Sequence, residues 1–558
     1  MSRVTILQAA LGGPVVAAIA WLGLVRMPWL RRPVGAVLAL GALASSCVVF
    51  WLVYRGEELV WRSFRPGLLA ATVVVVVELT LLLAAMRAES LPDGGNAPTI
   101  VGLGVCACAV AALSYAGSIG VVALALPLPT VATWGAALSG RGREDARGLI
   151  GLAAADAVAL IGLSLIYART GSVAVDVVGG VGPALLLLAA LLKAGAIPGV
   201  ATWRLSAGKG PASWLEAAMR GQAVALAALA ALTMRTSAPV VALAIAAAVT
   251  IPLGGVLALL GGTKERILAA AAGAAAGLPF LALGLGGAVG TRAFLLLFPA
   301  VLLAAALVAF LTREPGAEHR ATDRKAVTGA WGWLAAAAAG VAIGSLLGMP
   351  PGGGFPGTWL ALSLAAARSE VTLAWLPAAA GAAVGLTVAF AASITLVRAA
   401  RPRAVTAALG AIMALGLLYV GTQPVRVGIG WWIRVETALG LPEVLPTAGA
   451  PGFPIIGGVR MALLLAPALA LVAAVVALGR GVRDVRWDPA AGSRGESIPT
   501  GRLRRLLEPF AAVSRPLTEQ VVRARSLGAG YGLAAVLEIA AVLLAGRIVL
   551  LSARAGFL

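Results

Sequence analysis

Long apolar stretches recur along the whole chain, separated by short polar or charged segments. Each stretch is long enough to cross a hydrocarbon core of roughly 30 Å as an α-helix, and within such a core only helices and closed barrels satisfy their backbone hydrogen bonds. The pattern therefore predicts an all-α, polytopic transmembrane protein with about 14–17 spans. The predicted spans are residues 5–25, 34–54, 67–86, 98–117, 119–138, 149–167, 181–202, 213–233, 239–260, 267–286, 293–312, 327–348, a short run at 355–367, 372–397, 404–421, 459–479 and 530–551.

Composition agrees with this pattern. The 558 residues are 60% hydrophobic and 12% charged, with a mean hydropathy of +0.98. The formal net charge is +20, which in a soluble protein would suggest a nucleic-acid partner. Here the basic residues lie mostly in short loops between spans, so membrane topology explains them and no nucleic acid is expected.

Lysine and arginine are distributed unevenly between alternate loops. They are concentrated in loops 139–148, 203–212, 261–266 and 313–326, which predicts that these loops are cytoplasmic in a bacterial inner membrane. Loop 55–66, with three arginines and two glutamates, runs against this assignment.

The last part of the chain contains a second basic region, residues 480–528, ahead of the predicted final span 530–551. Four prolines interrupt this region, and its short amphipathic pieces favour contact with the bilayer surface over contact with a specific partner. The first apolar run is interpreted as a retained span, because it is longer than the core of a signal peptide.

Lys193 is the most informative intramembrane residue, because a charged side chain inside a span is costly and by default indicates function. Pro198 follows five residues later and predicts a broken or kinked helix there. Asp156, on the neighbouring predicted span, is the best intramembrane partner for the lysine, and Glu216 is the alternative. The opposing interpretation of Lys193 is a structural lysine held by backbone carbonyls at the helix break.

The span after Lys193 begins with Glu216, Arg220 and Gln222. Glu216 and Arg220 are four residues apart and so lie on one helix face. We expect them either to line an ion path with Lys193 and Asp156 or to form a buried pair near the cytoplasmic end. Asp156 likewise has an alternative, an interhelical hydrogen bond.

Two further acids, Glu78 and Glu538, each stand alone in an apolar run and are expected to face protein, either in an ion path or against neighbouring subunits. No catalytic, cofactor or metal site is predicted. The three cysteines lie in predicted spans without a second ligand pair, and His319 is the only histidine.

Three ordered stretches resemble the antiporter-like membrane subunits shared by respiratory complex I, Mrp-type sodium/proton antiporters and energy-converting membrane-bound hydrogenases. They read KAGAIPGVATWRLSAGKGPASWLEAAMRGQAVALAAL, GTKERILAAAAGAAAGLPFLALGLGGAVGTRAFLLLFPAVLLAAAL and SLLGMPPGGGFPGTWLALS. The resemblance implies two inverted helical repeats with broken helices in a core of residues 97–400, preceded by helices in 1–96 and followed by 401–558. The implied breaks lie at Pro198 and around Pro350, Pro351 and Gly354.

The chain also departs from the family pattern. The family carries a glutamate two spans before its central lysine, whereas this chain has Pro129 or Thr130 there. Leu303 and Thr358 stand near positions where the second repeat of the family has ionisable residues. Glu216 stands where a histidine is usual, and Gln222 where threonine or lysine is common. Half of the family's charge relay is therefore missing.

The resemblance implies a proton- or sodium-translocating subunit of a multi-subunit, redox-driven complex of the NADH-quinone oxidoreductase or hydrogenase type. It would use Lys193, perform no chemistry of its own and carry no cofactor. Its partners would be other membrane subunits, the lipid bilayer, and protons or Na⁺. The alternatives are a degenerate, non-pumping subunit that anchors partners and the membrane partner of an inorganic-carbon uptake system.

Overall fold

The computed structural model describes ten stretches of the chain and a few single positions near the C-terminus. The stretches are residues 3–23, 28–87, 97–139, 146–172, 181–196, 241–259, 264–312, 330–348, 351–367 and 404–422, and the further positions are 431, 434, 435, 437, 547 and 548. The predicted spans 213–233, 372–397 and 459–479, most of span 530–551, and the basic region 480–528 lie outside the described residues.

The described residues are helical and contain no β-strand, only two isolated bridges. In chain order the helices are α1 (Arg3–Gly23), α2 (Pro28–Tyr54), α3 (Leu68–Arg87), α4 (Ala97–Ser114), α5 (Ile119–Ala125), α6 (Leu128–Ser139), α7 (Ala146–Thr170), α8 (Val181–Ala194), α9 (Val241–Leu259), α10 (Lys264–Leu285), α11 (Gly287–Thr312), α12 (Ala330–Leu346), α13 (Phe355–Ala367) and α14 (Ala404–Thr422).

The helices are those of a membrane protein. Among the described helices, four segments are long and apolar enough to cross a bilayer: Arg3–Trp21, Pro33–Tyr54, Gly148–Thr170 and Val289–Val308. Shorter apolar helices make up most of the remaining described structure. The prediction of an all-α, polytopic membrane protein is therefore confirmed, and the chain is an integral membrane protein.

Several large apolar side chains remain exposed on helix faces, among them Val37, Leu40, Ile412 and Leu415. In water a surface of this kind would be unfavourable, whereas in a bilayer it lies against lipid.

The predicted span 119–138 is not one helix. It is divided into α5 and α6 at Leu126 and Pro127. Prolines 127 and 129 each lack a backbone donor, which explains why the helix is interrupted at this point. The predicted span 119–138 therefore contains a break that the hydrophobic pattern did not indicate, and the interruption contributes directly to the site described below.

Helix pairs α7–α8, α9–α10 and α1–α2 pack side by side, and α4 packs against both α1 and α6. Close packing depends on small residues. At Gly284, an added Cβ would lie 2.5 Å from the backbone nitrogen of Ala244, so α9 and α10 are in near backbone contact. Gly162 and Gly182 bring α7 and α8 equally close.

The loop between α2 and α3, whose arginines run against the predicted topology, is held by local contacts. Arg55 lies over the ring of Trp51 with 4.9 Å between guanidinium and centroid, and Arg62 lies 5.7 Å from the ring of Trp61. Glu57 forms a 2.6 Å ion pair with Arg3. Two of the three arginines in this loop, Arg55 and Arg62, therefore have aromatic partners.

Candidate functional site

Lys193 lies in the last turn of α8, where it is 2% exposed and its side chain is fully enclosed. The helix ends one residue later, at Ala194, and Gly195 adopts a φ of 81°, a left-handed conformation that favours glycine. Backbone hydrogen bonds from Gly195 to Leu192 and from Ala196 to Leu191 close this end. The lysine is therefore buried at a point where the chain leaves its helix.

Asp156 is the ion-pair partner of Lys193. It projects from the middle of α7, is 0% exposed, and places its Oδ1 2.5 Å from the lysine Nζ. The other carboxylate oxygen, Oδ2, accepts a short hydrogen bond from the Thr130 hydroxyl of α6. A buried charge pair of this kind is stable only when both partners are close and their remaining atoms are bonded.

The interrupted helix supplies two further contacts of the lysine. Its Nζ lies 3.4 Å from the backbone oxygen of Leu126, at the break between α5 and α6, and 3.4 Å from the Thr130 hydroxyl. Thr130 therefore contacts both members of the pair. Sequence analysis missed Leu126 as a contact, although the Leu-Pro-Leu-Pro run at 126–129 is a signal for freed backbone carbonyls.

One side of the pocket is formed by α4. Cys106 is completely buried on this helix, and its Sγ lies 3.9 Å from the backbone oxygen of Pro129, next to Thr130. Among the described residues, the same helices also contribute buried aliphatic side chains to this part of the core, including Leu126, Leu160 and Leu191. The pair is thus placed in an apolar interior, where charge interactions are strong.

A second helix break separates α12 from α13. Gly348 has a φ of 68°, and a methyl group there would collide with Thr358. The Ser345 hydroxyl accepts a 2.6 Å hydrogen bond from the Gly353 backbone, and Gly354 packs against the Ser345 carbonyl. Pro351 is exposed in the turn that joins the two helices.

The described residues beyond position 240 contain few buried polar side chains. They are Thr250, Arg292, Ser345 and Thr358. Thr358 is buried and its hydroxyl makes no hydrogen bond within the described structure, while Leu303 packs in an aliphatic cluster with α12 and α14. No acid is buried among the described residues beyond position 240, whereas the pocket around Lys193 contains Asp156.

Of the other candidate residues, Glu78 is 0% exposed on α3, at a separate place in the fold. Pro198, Glu216, Arg220, Gln222, Pro350 and Glu538 lie outside the described residues. Cys47, Cys106 and Cys108 are free thiols, and no group of three potential metal ligands occurs in the described part of the chain.

Comparison with known proteins gives matches among solved structures only; the sequence matches no protein-family model and no curated protein. The chain is similar to a chain of respiratory complex I from Thermus thermophilus with bound aureothin, at 23% identity and a TM-score of 0.59. That match covers 74% of this chain and 97% of the other.

Two further structures match nearly the whole chain. A chain of the membrane-bound sulfane sulfur reductase, an archaeal respiratory membrane complex, is 19% identical with a TM-score of 0.67, covering 94% of both chains. A chain of the Mrp complex from Dietzia sp. DQ12-45-1b is 18% identical with a TM-score of 0.62, covering 93% of this chain and 63% of that one. All three are chains of membrane complexes.

The chain shares the fold of these three chains. Within this fold, the resemblance described above leads us to expect a glutamate on the helix that carries Thr130. In this chain the carboxylate beside Lys193 comes from Asp156 on the next helix, and it accepts a hydrogen bond from the Thr130 hydroxyl. The polar residues around Lys193 therefore differ from the arrangement that the resemblance leads us to expect.

Proposed function

We propose that this protein is the ion-translocating membrane subunit of a multi-subunit respiratory-type complex and that protons, or Na⁺ ions, pass through a half-channel around Lys193. The observation that carries the proposal is the fully buried pair of Lys193 and Asp156, 2.5 Å apart, with Thr130 bonded to both. Intramembrane ion pairs of this kind are typical of ion paths and proton relays.

Stability alone is a poor reason for such a pair. Well-packed apolar residues in place of a buried ion pair are often equally stable or more stable. The described residues of the surrounding core include many leucines and alanines and a buried cysteine, an environment that suits apolar side chains. The charges are therefore better explained by the passage of ions than by folding.

The contacts suggest how the pair would work. In the structure the Asp156 carboxylate neutralises the Lys193 ammonium. A proton arriving on Asp156 removes that attraction, while the oxygens of Thr130 and Leu126 that also contact the ammonium carry no charge. Loss of a nearby negative charge disfavours a buried ammonium, so Lys193 then releases a proton to the next group along the path. Return of the Asp156 proton to Lys193 re-forms the pair.

The partners we propose follow from the complexes whose chains share the fold. Other membrane subunits would bind this chain, and the energy for transport would reach it through them, since no redox cofactor or metal is proposed for it. The bacterial inner membrane and the cytoplasmic location of loops 139–148, 203–212, 261–266 and 313–326 are part of the same proposal. Glu216, Arg220 and Gln222 are proposed to continue the path from Lys193.

One observation favours a second candidate, a non-pumping subunit that anchors partners. In the described residues beyond position 240 no acid is buried, and Leu303 and Thr358 take positions that are ionisable in the family. This candidate predicts that replacing Lys193 changes assembly or nothing at all. The carbon-uptake alternative has no such support from the geometry.

The test is ion uptake by membrane vesicles that contain the assembled complex. We expect Lys193→Met and Asp156→Asn to abolish most of the uptake while the complex still copurifies. Arg169→Gln is the matched control, because Arg169 is a basic residue at the exposed end of α7, and it should transport like the parent. Full uptake by Lys193→Met would refute the proposal, and loss of assembly in that variant would favour the anchoring role.

A further inference from the structure

A second buried carboxylic acid, Glu78, lies outside the pocket of Lys193. It is 0% exposed in the middle of α3, and neither of its carboxylate oxygens makes a hydrogen bond in the described structure. Within the part of the chain that the structure describes, it forms no ion pair. An anion buried in this way is strongly unfavourable, whereas a neutral acid is tolerated if its polar atoms find partners.

Potential partners surround it on two neighbouring helices. The Ser46 hydroxyl of α2 lies beside the carboxyl group, and Cys47, Cys108 and Tyr115 are near enough to interact with it electrostatically. Ser46 and Tyr115 are both 0% exposed, and their hydroxyl oxygens also make no hydrogen bond within the described residues.

Helical spacing brings these groups to one place. A single apolar cluster contains Val49 of α2, Ala71 and Val74 of α3, and Ala111 and Tyr115 at the end of α4. Ser46 lies three residues before Val49, Glu78 four after Val74, and Cys108 three before Ala111. Residues at these spacings share a helix face, so all three helices direct polar groups toward the same side.

The Cys-x-Cys pair on α4 separates this cluster from the lysine pocket. Cys106 contacts the Pro129 carbonyl beside Thr130, and Cys108 lies near Glu78. Residues two apart point to nearly opposite sides of a helix. Helix α4 therefore has the Lys193 pair on one face and Glu78 on the other.

Basic groups on the packed helices do not neutralise Glu78. On α11, which also packs against α3, the only charged residue is Arg292 in the second turn, and no ion pair joins it to Glu78. The basic residues of α2, Arg31 and Arg32, lie in its first turns, about four turns from Ser46.

We propose that Glu78, with the hydroxyl groups of Ser46 and Tyr115, is a second proton-binding site that holds one proton at neutral pH. A protonated carboxyl group is both a donor and an acceptor, so it can bond with the neighbouring Ser46 hydroxyl and needs no counter-charge, and the Tyr115 hydroxyl offers a further polar group nearby. The site is independent of the transport proposed for Lys193.

Infrared spectroscopy of the purified complex tests this proposal, with isotope-labelled glutamate to separate protein carboxyl bands from lipid esters. At neutral pH we expect a C=O band of a protonated glutamic acid that Glu78→Gln removes. Glu57→Gln is the control, because Glu57 is paired with Arg3 and should not contribute. A spectrum that Glu78→Gln leaves unchanged would overturn the proposal.

Two further measurements complete the test. Ser46→Ala should shift the band to higher frequency, because the acid loses a hydrogen-bond partner. An unshifted band would contradict the proposed contact between Glu78 and Ser46, and this test remains available if the Glu78→Gln complex fails to assemble. Added Na⁺ should leave the band in place. Loss of the band on adding Na⁺ would show that the site binds Na⁺ and would overturn its assignment as a proton site.

Discussion

The pair of Lys193 and Asp156 should be dispensable for stability and indispensable for transport, and a double-mutant cycle separates the two. The variants are Lys193→Met, Asp156→Asn and the combination of both. Each single change leaves one buried group with its counter-charge removed, whereas the double change leaves neutral groups only. Thr130 remains to bond with the new amide.

The structure sets the magnitude. Unit charges 2.5 Å apart attract by about 7 kcal/mol at an effective dielectric constant of about 20. Most of this attraction is offset by the cost of removing both charges from water. Removal of one partner alone destabilises by about 3–5 kcal/mol, while neutral replacement of both is close to neutral. The double variant should therefore unfold near the parent, and the coupling energy should approach the sum of the two single costs, about 6–10 kcal/mol.

Thermal unfolding of the detergent-purified complex measures the stability of each variant, and ion uptake by vesicles measures its transport. We expect both single variants to melt earlier, the double variant to recover most of the difference, and all three to have lost transport. Strictly additive stability changes would refute the reasoning about the pair. Transport by the stable double variant would refute its function.

Three further predictions follow from other contacts. Thr130→Val should slow ion uptake about tenfold or more, because a hydrogen bond to a charged group is worth about 1.5–3 kcal/mol. Thr130→Ser keeps the hydroxyl and should transport like the parent. Equal uptake rates in the two variants would show that the hydroxyl has no role in transport. Thr130→Glu combined with Asp156→Asn should restore part of the uptake that Asp156→Asn loses, and no recovery would show that the position of the acid matters. Gly284→Ala should destabilise the fold by about 1–3 kcal/mol and lower the melting temperature, because its Cβ would meet Ala244. Gly344→Ala, with open space around it, should be neutral or slightly stabilising.

Much of the fold follows from hydrophobic pattern alone. A run of apolar residues long enough to cross a bilayer has few alternatives to a helix, and the predicted spans correspond to most of the described helices. The exception is 119–138, where the apolar pattern continues through Leu126 although Pro127 and Pro129 interrupt the backbone. Hydropathy does not register a missing N–H group.

The site was only partly predictable, because sequence does not give the distances between helices. Lys193 and Asp156 were identifiable as charges in apolar spans. Their contact depends on α7 and α8 approaching at Gly162 and Gly182, and the link through Thr130 depends on the helix break before it. Thr130 was recognised only as the absence of a carboxylate, since a threonine in an apolar span is unremarkable until its neighbour is known.

The number of ions moved per turnover of the assembled complex tests the central claim most directly. We predict that Lys193→Met lowers this ratio. The complex should keep its subunit composition, and its partner subunits should keep the reaction that drives transport. An unchanged ratio in a fully assembled Lys193→Met complex would show that ions do not pass by this lysine and would contradict the account.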